Sequence, residues 1–342
     1  IAKLPFDISS PEGQLACPFW NEQEDPMSKI ITAGEPMALF VSEKEGSLET
    51  ADRFVRFVSG AEVNFSIGMA RLGHQVTYVT QLGQDPFGKS IETFLQQNSI
   101  NTEYIKYAST HPTGMQFKQK VTAGDPEVFS ARKNSAASHM NRETIIHINW
   151  NEYDHIHLTG IPPALSAGCR DMVYELMDTA RSNGVQISFD PNLRPGLWED
   201  KQEMAQIIND LACRADIVLP GIKEGELLTG QDDVQQIADY YHAAGVKTVV
   251  IIQGKKGAFT SSEGQQFYTD RFPVEQVVDT VGAGDGFAVG VVSGLLEGLP
   301  IKEAVRRGAA IGALAVMSPG DNDGLPNHES LLAYMEDSIA EI

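Results

Sequence analysis

The sequence predicts an α/β fold in which a doubly wound, mostly parallel sheet is flanked by helices and carries a small β-sheet as a lid. The main sheet is predicted because short apolar runs alternate with segments of helical periodicity, and most of those runs end in Gly, Pro or Asp. The lid is predicted because two distant regions contain consecutive strand-like runs with no helix between them.

The runs assigned to the main sheet are short and rich in β-branched or aromatic residues. The predicted strands are 30–35, 76–82, 153–160, 185–192, 215–221 and 248–254, and the predicted helices between them are 61–73, 86–98, 165–184, 198–215 and 234–245. Strands this apolar are typical of a parallel sheet that helices cover on both faces. Ligands of such sheets bind beyond the carboxyl ends of the strands, so we look for a site there.

One domain is expected to span residues 28–342, with lid strands from about 36–60 and 103–134. The runs assigned to the lid are 36–42, 52–60, 102–109, 113–121 and 126–134. Because they lack crossover helices, we predict an antiparallel-type sheet. The stretch before Met27 lacks the basic start and apolar core of a signal peptide. Because Met27-Ser-Lys-Ile resembles a native start, residues 1–27 are predicted to be a leader outside the fold rather than a functional extension.

The composition limits the partners. The formal net charge is −20 at pH 7, whereas sequence-independent binding to nucleic acid or to anionic membranes needs an excess of Lys and Arg. No apolar run approaches the roughly 18 residues that span a bilayer. The cysteines (Cys17, Cys169 and Cys213) are scattered, which fits a reduced compartment. We expect a cytoplasmic protein that binds small molecules, with neither nucleic acid nor membrane as a partner.

Residues 83–90, GQDPFGKS, match the consensus G-x-x-x-x-G-K-[ST] of a phosphate-binding P-loop. Pro86 would remove one of the backbone N–H donors of such a loop, and Asp85 would place a carboxylate among the phosphates. We therefore predict a helix start, with Asp85 as the N-cap and Pro86 at the first helical position. A P-loop nucleoside triphosphatase is kept as the alternative for this segment.

A stronger candidate phosphate site is the segment 277–290, VVDTVGAGDGFAVG, where a strand-like run enters a Gly-Ala-Gly turn. A helix of small residues is predicted from Asp285 to about Leu296. The N–H groups of residues 282–284 would be left free at its N-terminus, beside the positive end of the helix dipole. They suit the charge of a phosphoryl group in transfer. Asp285 is then predicted to accept a hydroxyl proton.

At this motif the chain resembles the ribokinase-like sugar kinases (the PfkB group), and the resemblance extends from Lys29 to about Ala340. Other landmarks match in the same order: Gly34-Glu35, Gly60-Ala-Glu-Val-Asn64, the G-x-D-x-x-G of Gly83, Asp85 and Gly88, and Gly254-Lys-Lys-Gly257. The resemblance implies a doubly wound α/β domain with a β-clasp lid. It also implies transfer of phosphate from ATP, with Mg²⁺, to a sugar.

The resemblance further implies a role for individual residues. Asp285 would be the general base, and the anion hole would be formed by Gly282, Ala283 and Gly284. The residues implied to bind the nucleotide are Asn192, Gly254, Lys255, Lys256 and Gly257. Glu224 would organise Mg²⁺, although Gly221 stands where the family has asparagine. A monovalent cation such as K⁺ would lie near Asp279 and Thr280.

Within that family, residues 113–118, 129–137 and 318–324 are most similar to the 2-keto-3-deoxygluconate kinases. The carboxylate of such a sugar needs cations, and residues 116–133 contain four basic side chains against two acidic ones. Arg194 adds a fork suited to carboxylate or phosphate. The residues expected to bind the substrate, an acidic sugar, are Gly34, Gly60, Asn64, Gln116, Lys118, Arg132, Arg194 and Asp321.

Two further readings of the chain stay open. A fructokinase or ribokinase would keep the reaction and act on a neutral sugar. A catalytically silent sugar- or nucleotide-sensing module would keep only the fold, but the presence of Asp285, the full glycine turn and Glu224 favours an enzyme. The lid is also expected to offer a surface for a homo-oligomer.

Overall fold

The structure, a computed structural model, describes residues 28–121, 126–318 and 320–340. The predicted leader, residues 1–27, lies outside the described residues. The strands are β1 (Lys29–Ala33), β2 (Met37–Glu45), β3 (Phe54–Ser59), β4 (Gln75–Gly83), β5 (Ile100–Asn101), β6 (Ile105–Ala108), β7 (Met115–Lys120), β8 (Val128–Ala131), β9 (His155–Thr159), β10 (Gln186–Asp190), β11 (Ile217–Val218), β12 (Thr248–Ile252), β13 (Ala258–Ser262) and β14 (Gln265–Thr269). The helices are α1 (Ala61–Arg71), α2 (Pro86–Gln97), α3 (Arg142–Ile145), α4 (Ile161–Leu165), α5 (Ala167–Ser182), α6 (Lys201–Ala212), α7 (Ile222–Thr229), α8 (Val234–Ala243), α9 (Ala283–Leu296), α10 (Ile301–Val316) and α11 (His328–Ala340).

The main sheet has the strand order β14-β13-β12-β11-β10-β9-β1-β4-β5. Neighbouring strands in the part of this order from β12 to β5 pair in parallel. At the other edge, β13 and β14 pair antiparallel. The sequence-based prediction of a doubly wound, mostly parallel sheet is therefore confirmed. In the described part of the chain, none of the helices combines the length and apolar character that a bilayer crossing needs.

Two apolar cores lie on the two faces of this sheet. Alternate residues of each buried strand enter different cores, as Ile31 and Ile30 of β1 do, and both are fully buried. One core packs α5, α6 and α8, and the other packs α1, α2, α9 and α10. Burial of each such aliphatic side chain contributes about 1.5–3 kcal/mol, which explains why the strands are apolar throughout.

A separate four-stranded sheet has the order β3-β2-β7-β8. Its two hairpin-like pairs are antiparallel, as the sequence predicted, but the central pair β2–β7 is parallel. The prediction was wrong on this pair because β2 and β7 are separated by α1, β4 and α2, so no short turn fixes their relative direction.

The run 102–109 was also predicted to belong to the lid, and that assignment was wrong. β6 within this run pairs in parallel with residues 80–83 of β4, at the edge of the main sheet. β4 is nine residues long, so its first half pairs with β5 and its second half offers a free edge to β6. A short strand beside such an edge cannot be distinguished by its sequence from a lid strand.

Helix α9 lies between α1 and α10, and its residues 285–294 are all buried. A Cβ at Gly290 would lie 2.5 Å from the Cα of Gly308 in α10, so glycine is required for this close approach. The small residues of the sequence after Asp285 therefore serve the packing of the helix that carries the candidate phosphate site.

Candidate active site

A cavity of about 490 Å³ lies between the small sheet and the carboxyl ends of the main-sheet strands. Residues at or just after the ends of β1, β9, β10, β11 and β12 contribute to its wall. This is the edge at which ligands of parallel sheets bind. The predicted site residues that line it are Gly60, Asn64, Gln116, Lys118, Arg132, Asn192, Arg194, Glu224, Gly282, Gly284, Asp285 and Asp321.

Helix α9 begins at Ala283, two residues earlier than the sequence predicted. Its N-cap, Gly282, has φ 80°, in the left-handed region that favours glycine, and no described side chain caps this helix end. The first N–H groups and the positive end of the dipole therefore face the cavity without a competing side chain. A Cβ at Gly284 would meet no atom within 4 Å, so the space in front of the helix has room for an anion.

Asp285 lies in the first turn of α9 and is 8% exposed. Its Oδ2 accepts a hydrogen bond from Nδ2 of Asn64 at 2.8 Å, and its Oδ1 accepts one from Nδ2 of Asn192 at 3.3 Å. Burial raises the pKa of Asp285 to about 6, against the opposing effects of the Asn64 hydrogen bond, the Arg194 charge and the Asn192 hydrogen bond. A carboxylate with a pKa near neutrality is well suited to accept a proton at physiological pH.

The loop after β10 places Asn192 beside this carboxylate. Asn192 has φ 38°, and its backbone N–H donates to Oδ1 of Asp190 at 3.0 Å. Glu224 fixes the same loop, because its Oε1 accepts from the N–H of Leu193 at 2.7 Å and its Oε2 from that of Gly221 at 2.8 Å. Asn64 and Asn192, predicted to bind substrate and nucleotide, are thus placed where they orient Asp285.

A magnesium site is not preformed in the described residues, which hold no group of three or more His, Cys, Asp or Glu side chains arranged for a metal ion. In nucleotide sites Mg²⁺ keeps several waters and binds one or two carboxylates together with the phosphates. Glu224 and Asp190 line the same cavity as Gly284. Burial and the charges of Glu224 and Asp285 raise the pKa of Asp190 well above its usual range. This concentration of acidic groups fits a hydrated Mg²⁺ that arrives with a phosphate ligand.

Three cationic side chains line the cavity, and their partners differ. Lys118 of β7 forms an ion pair with Asp279. Arg132 donates from Nε to Oε2 of Glu35 at 2.7 Å, and this buried pair joins the small sheet to the end of β1. Arg194 is exposed and forms no ion pair with a described residue. Its guanidinium is therefore the cation in this cavity that is least engaged by the protein itself.

Some predicted site residues lie outside the cavity lining. Gly34 faces Glu62, because a Cβ at Gly34 would lie 2.2 Å from Oε2 of Glu62. Gly254, Lys255, Lys256 and Gly257 form the turn between β12 and β13, with both lysines exposed, and Ile252 two residues earlier lines the cavity. Ala283, between Gly282 and Gly284, is not part of the cavity lining either.

Three acidic residues around the cavity were not among the predicted site residues. Asp190 is the last residue of β10 and Glu35 lies two residues after the end of β1, and these positions at strand ends were a signal that could have identified them. Glu62 is fully buried in the first turn of α1, where it accepts a hydrogen bond from the Thr159 hydroxyl. Burial raises the pKa of Glu62 to about 7. An acidic residue in the first turn of a helix is usually an exposed partner of the helix dipole, so the burial of Glu62 could not be predicted from the sequence.

The P-loop match at residues 83–90 is a helix start, as predicted. Oδ1 of Asp85 accepts from the N–H groups of Phe87 at 3.0 Å and Gly88 at 2.9 Å, and Pro86 is the first helical residue. Oδ2 of Asp85 accepts from the N–H of Thr113 at 2.8 Å. The carboxylate thus occupies the donors that a phosphate would need, and it ties α2 to the chain just before β7.

Comparison with known proteins gives two kinds of match. The model of the pfkB family carbohydrate kinases matches residues 27–328. The chain is 45% identical over 306 residues to the 2-dehydro-3-deoxygluconokinase of Bacillus subtilis strain 168, which covers 89% of this chain and 94% of that protein.

Solved structures agree on the fold. The crystal structure of a PfkB protein from Polaromonas sp. JS666 matches with a TM-score of 0.83 and 43% identity, over 90% of this chain and 99% of that one. A putative ribokinase II from E. coli in complex with ATP and Mg²⁺ matches with a TM-score of 0.83 and 26% identity, over 91% of this chain and 100% of that one.

The uncapped start of α9, the buried carboxylate in its first turn and the cations that line the same cavity are the groups that transfer of phosphate to a hydroxyl compound needs. Such a site on a doubly wound sheet with a small second sheet is the arrangement of a sugar kinase. The chain belongs to the pfkB family of carbohydrate kinases. The resemblance that the sequence motifs indicated is therefore confirmed.

Proposed function

We propose that this carbohydrate kinase uses Mg²⁺-ATP to phosphorylate the terminal primary hydroxyl of 2-keto-3-deoxygluconate. The observation that carries the proposal is the single cavity in which Asp285, the start of α9 and three cationic side chains meet. An acidic keto-sugar would bring a hydroxyl to the carboxylate and a carboxylate to the cations. The name of the Bacillus subtilis relative, a kinase of the same sugar acid, supports this substrate.

The proton of the attacking hydroxyl would pass to Asp285. Asn64 and Asn192 each donate a hydrogen bond to a different oxygen of this carboxylate, so its orientation is fixed before substrate binds. Asn64 is held in turn by Asn322, whose Nδ2 lies 3.4 Å from Oδ1 of Asn64. General-base catalysis of this kind contributes roughly 10²–10⁴-fold to the rate.

The γ-phosphate of ATP would lie at the start of α9, where the N–H groups of Gly282, Ala283 and Gly284 offer donors. When bound, Mg²⁺-ATP supplies the phosphoryl group and neutralises the charge that develops on it. Glu224 and Asp190 would hold the hydrated metal ion. The rest of the nucleotide would follow the cavity wall at Gly221 and Ile252 toward the turn at residues 254–257, where Lys255 and Lys256 are exposed.

The carboxylate of the sugar acid would bind cations that line the same cavity as Asp285. Arg194 is the principal candidate because its fork has no ion-pair partner among the described residues. Lys118 would contribute a point charge and Gln116 an amide for a sugar hydroxyl. Arg132 would keep its hydrogen bond to Glu35, and both side chains would form part of the cavity wall.

A panel of sugars tests the substrate. We expect ADP release with ATP and 2-keto-3-deoxygluconate, and much slower release with fructose or ribose, because a neutral sugar leaves Arg194 without its partner. Arg194→Met should raise KM for the acidic sugar about 10–100-fold, the loss expected for charge-assisted hydrogen bonds, and should change KM for neutral sugars little.

The matched control is Arg214→Met, at a half-buried arginine whose ion pairs with Asp178 and Asp210 lie outside the cavity. A preference for fructose would establish the fructokinase reading instead. Binding without turnover for every sugar would indicate the silent sensing module.

The pH dependence tests the role of Asp285. Because burial raises the pKa of Asp285 to about 6, its deprotonated, proton-accepting form predominates above that pH. We expect kcat/KM to be level above about pH 7 and to fall about tenfold per unit well below pH 6. Burial also raises the pKa of Asp321 to about 6, so the break should persist in Asp321→Asn. A profile that is flat between pH 5 and 8 would contradict the assignment.

The proposal includes a homo-oligomer formed through the small sheet. The face of this sheet that carries Lys118 also carries Val55 and Phe57, which are 44% and 38% exposed. We expect sedimentation to show an oligomer that Phe57→Ser converts to monomer, whereas Tyr268→Ser on the distant edge strand β14 should have no effect. A monomeric unsubstituted protein would refute the proposed oligomer.

We also propose a cytoplasmic location, where ATP is present and Cys169 and Cys213 stay free thiols.

A further inference from the structure

The ion pair of Lys118 and Asp279 joins the two parts of the structure that close on the cavity. Lys118 belongs to β7 of the small sheet, and Asp279 precedes the glycine turn that starts α9. Both side chains are largely buried, with 11% and 18% of their surfaces exposed. The second carboxylate oxygen of Asp279, Oδ1, accepts from the N–H of Val281 at 3.1 Å. Both oxygens of this carboxylate are thus engaged, one by an ammonium group and one by the turn itself.

This arrangement does not fit the monovalent cation that the family resemblance implied beside Asp279 and Thr280. A K⁺ ion bound by Asp279 would need one of its oxygens as a ligand, and Oδ2 already contacts the ammonium of Lys118. A second positive charge at this carboxylate would be repelled by that ammonium, because solvent screens two charges poorly at a largely buried site. The resident cation at this position is the lysine.

The surrounding charges explain why a cation is needed there. Burial raises the pKa of Asp321 to about 6; Lys118 opposes this rise, whereas Asp279, Asp285 and Asp323 add to it. Lys118 is thus the cation that offsets the burial of Asp321, in a group of four carboxylates that ends at the proposed catalytic base. A buried carboxylate left without its partner is strongly destabilised, so removal of the ammonium would disturb the turn before α9.

We propose that the ammonium group of Lys118 takes the place of a monovalent cation at Asp279, so that this enzyme works without K⁺ and acquires a K⁺ requirement when Lys118 is neutralised. The part that concerns turnover rests on the proposed function. The part that concerns cation binding does not, because an empty space beside an unpaired Asp279 should take K⁺ whichever sugar is phosphorylated.

The experiment compares the unsubstituted protein with Lys118→Met in buffers that contain either K⁺ or tetramethylammonium, an ion too large for the site. The unsubstituted protein should show the same kcat and the same melting temperature in both. Lys118→Met should have a low kcat in tetramethylammonium, and K⁺ should raise it at least about tenfold by restoring a charge beside Asp279. Its KM for the acidic sugar should stay high in both buffers, since K⁺ does not restore the ammonium that would face the substrate.

The melting temperature provides a readout that needs no substrate. K⁺ should raise it in Lys118→Met and leave it unchanged in the control Lys120→Met, at the exposed last residue of the same strand. Asp279→Asn in the Lys118→Met background should abolish the effect of K⁺. Strong K⁺ activation of the unsubstituted protein would overturn the inference, and so would a Lys118→Met variant that gains neither kcat nor melting temperature from K⁺. If no acidic sugar is phosphorylated, the proposed function fails, and the melting temperatures still decide this inference.

Discussion

Replacing Asp285 by Asn is expected to lower kcat at least about 100-fold, at the low end of general-base effects, because an amide cannot accept the hydroxyl proton. The fold should be kept. The carboxylate is 8% exposed with a pKa raised to about 6, so at pH 8 the folded protein bears the cost of an ionised buried group, and the neutral amide removes it. Turnover with saturating ATP and sugar acid, together with the melting temperature at pH 8, measures both effects.

The control for this variant is Asp323→Asn, since Asp323 lies near the same carboxylates without lining the cavity. It should leave kcat close to that of the unsubstituted protein. If Asp285→Asn turns over normally, another group takes the proton, and the site as described would lose its chemical role. Equal losses in both variants would point to a general electrostatic effect.

Replacing Gly284 by Ala is expected to lower kcat/KM for ATP about 100-fold or more, comparable with the loss of one oxyanion donor, because the added methyl group would hold the phosphate away from N–H groups that alanine itself retains. A Cβ at this position meets no protein atom within 4 Å, so the methyl group would extend into the space in front of α9 that the γ-phosphate would occupy. The same substitution should leave stability unchanged or raise it by up to about 1 kcal/mol, because alanine is favoured over glycine within a helix.

Unchanged stability together with lost activity would indicate that Gly284 leaves space for a phosphate, whereas a glycine required by the fold would lose stability on substitution. The contrasting variant is Gly290→Ala on the same helix, where a Cβ would lie 2.5 Å from the Cα of Gly308 and should lower the melting temperature. Full activity in Gly284→Ala would place the phosphate elsewhere. A destabilised Gly284→Ala would show that the space is not open in solution.

The main sheet could be predicted from the sequence because buried parallel strands are apolar on both faces and end at turn residues. The start of α9 could be predicted to within two residues because Gly-Ala-Gly before an acidic residue combines turn chemistry with free N–H donors. What the sequence left undetermined depends on contacts across the chain. The parallel pairing of β2 with β7 and the place of β6 beside β4 are set by packing. The local sequence of these strands does not indicate which strand each one pairs with.

The sequence predicted which polar residues line the cavity better than it predicted the hydrogen bonds between them. Arg132 is predicted to bind substrate, and the sequence did not indicate its bond to Glu35, 97 residues away. Asn64 and Asn192 are predicted to bind ligands, and the sequence did not indicate their contacts with Asp285 over separations of 221 and 93 residues. Such pairs form only when the fold brings distant strand ends together, so residue type and spacing along the chain cannot assign them.

The small sheet has a consequence for how such an enzyme diversifies. Its strands supply Gln116 and Lys118, and the residue after its last strand is Arg132, whereas Asp285 and the turn before it belong to the other layer. The contacts proposed for the acceptor are therefore divided: a stretch of fewer than twenty codons encodes Gln116, Lys118 and Arg132, whereas Arg194 follows β10 of the main sheet. Exchange of that stretch with Lys118 kept could shift the preference among acceptors without altering Asp285 or the turn before it.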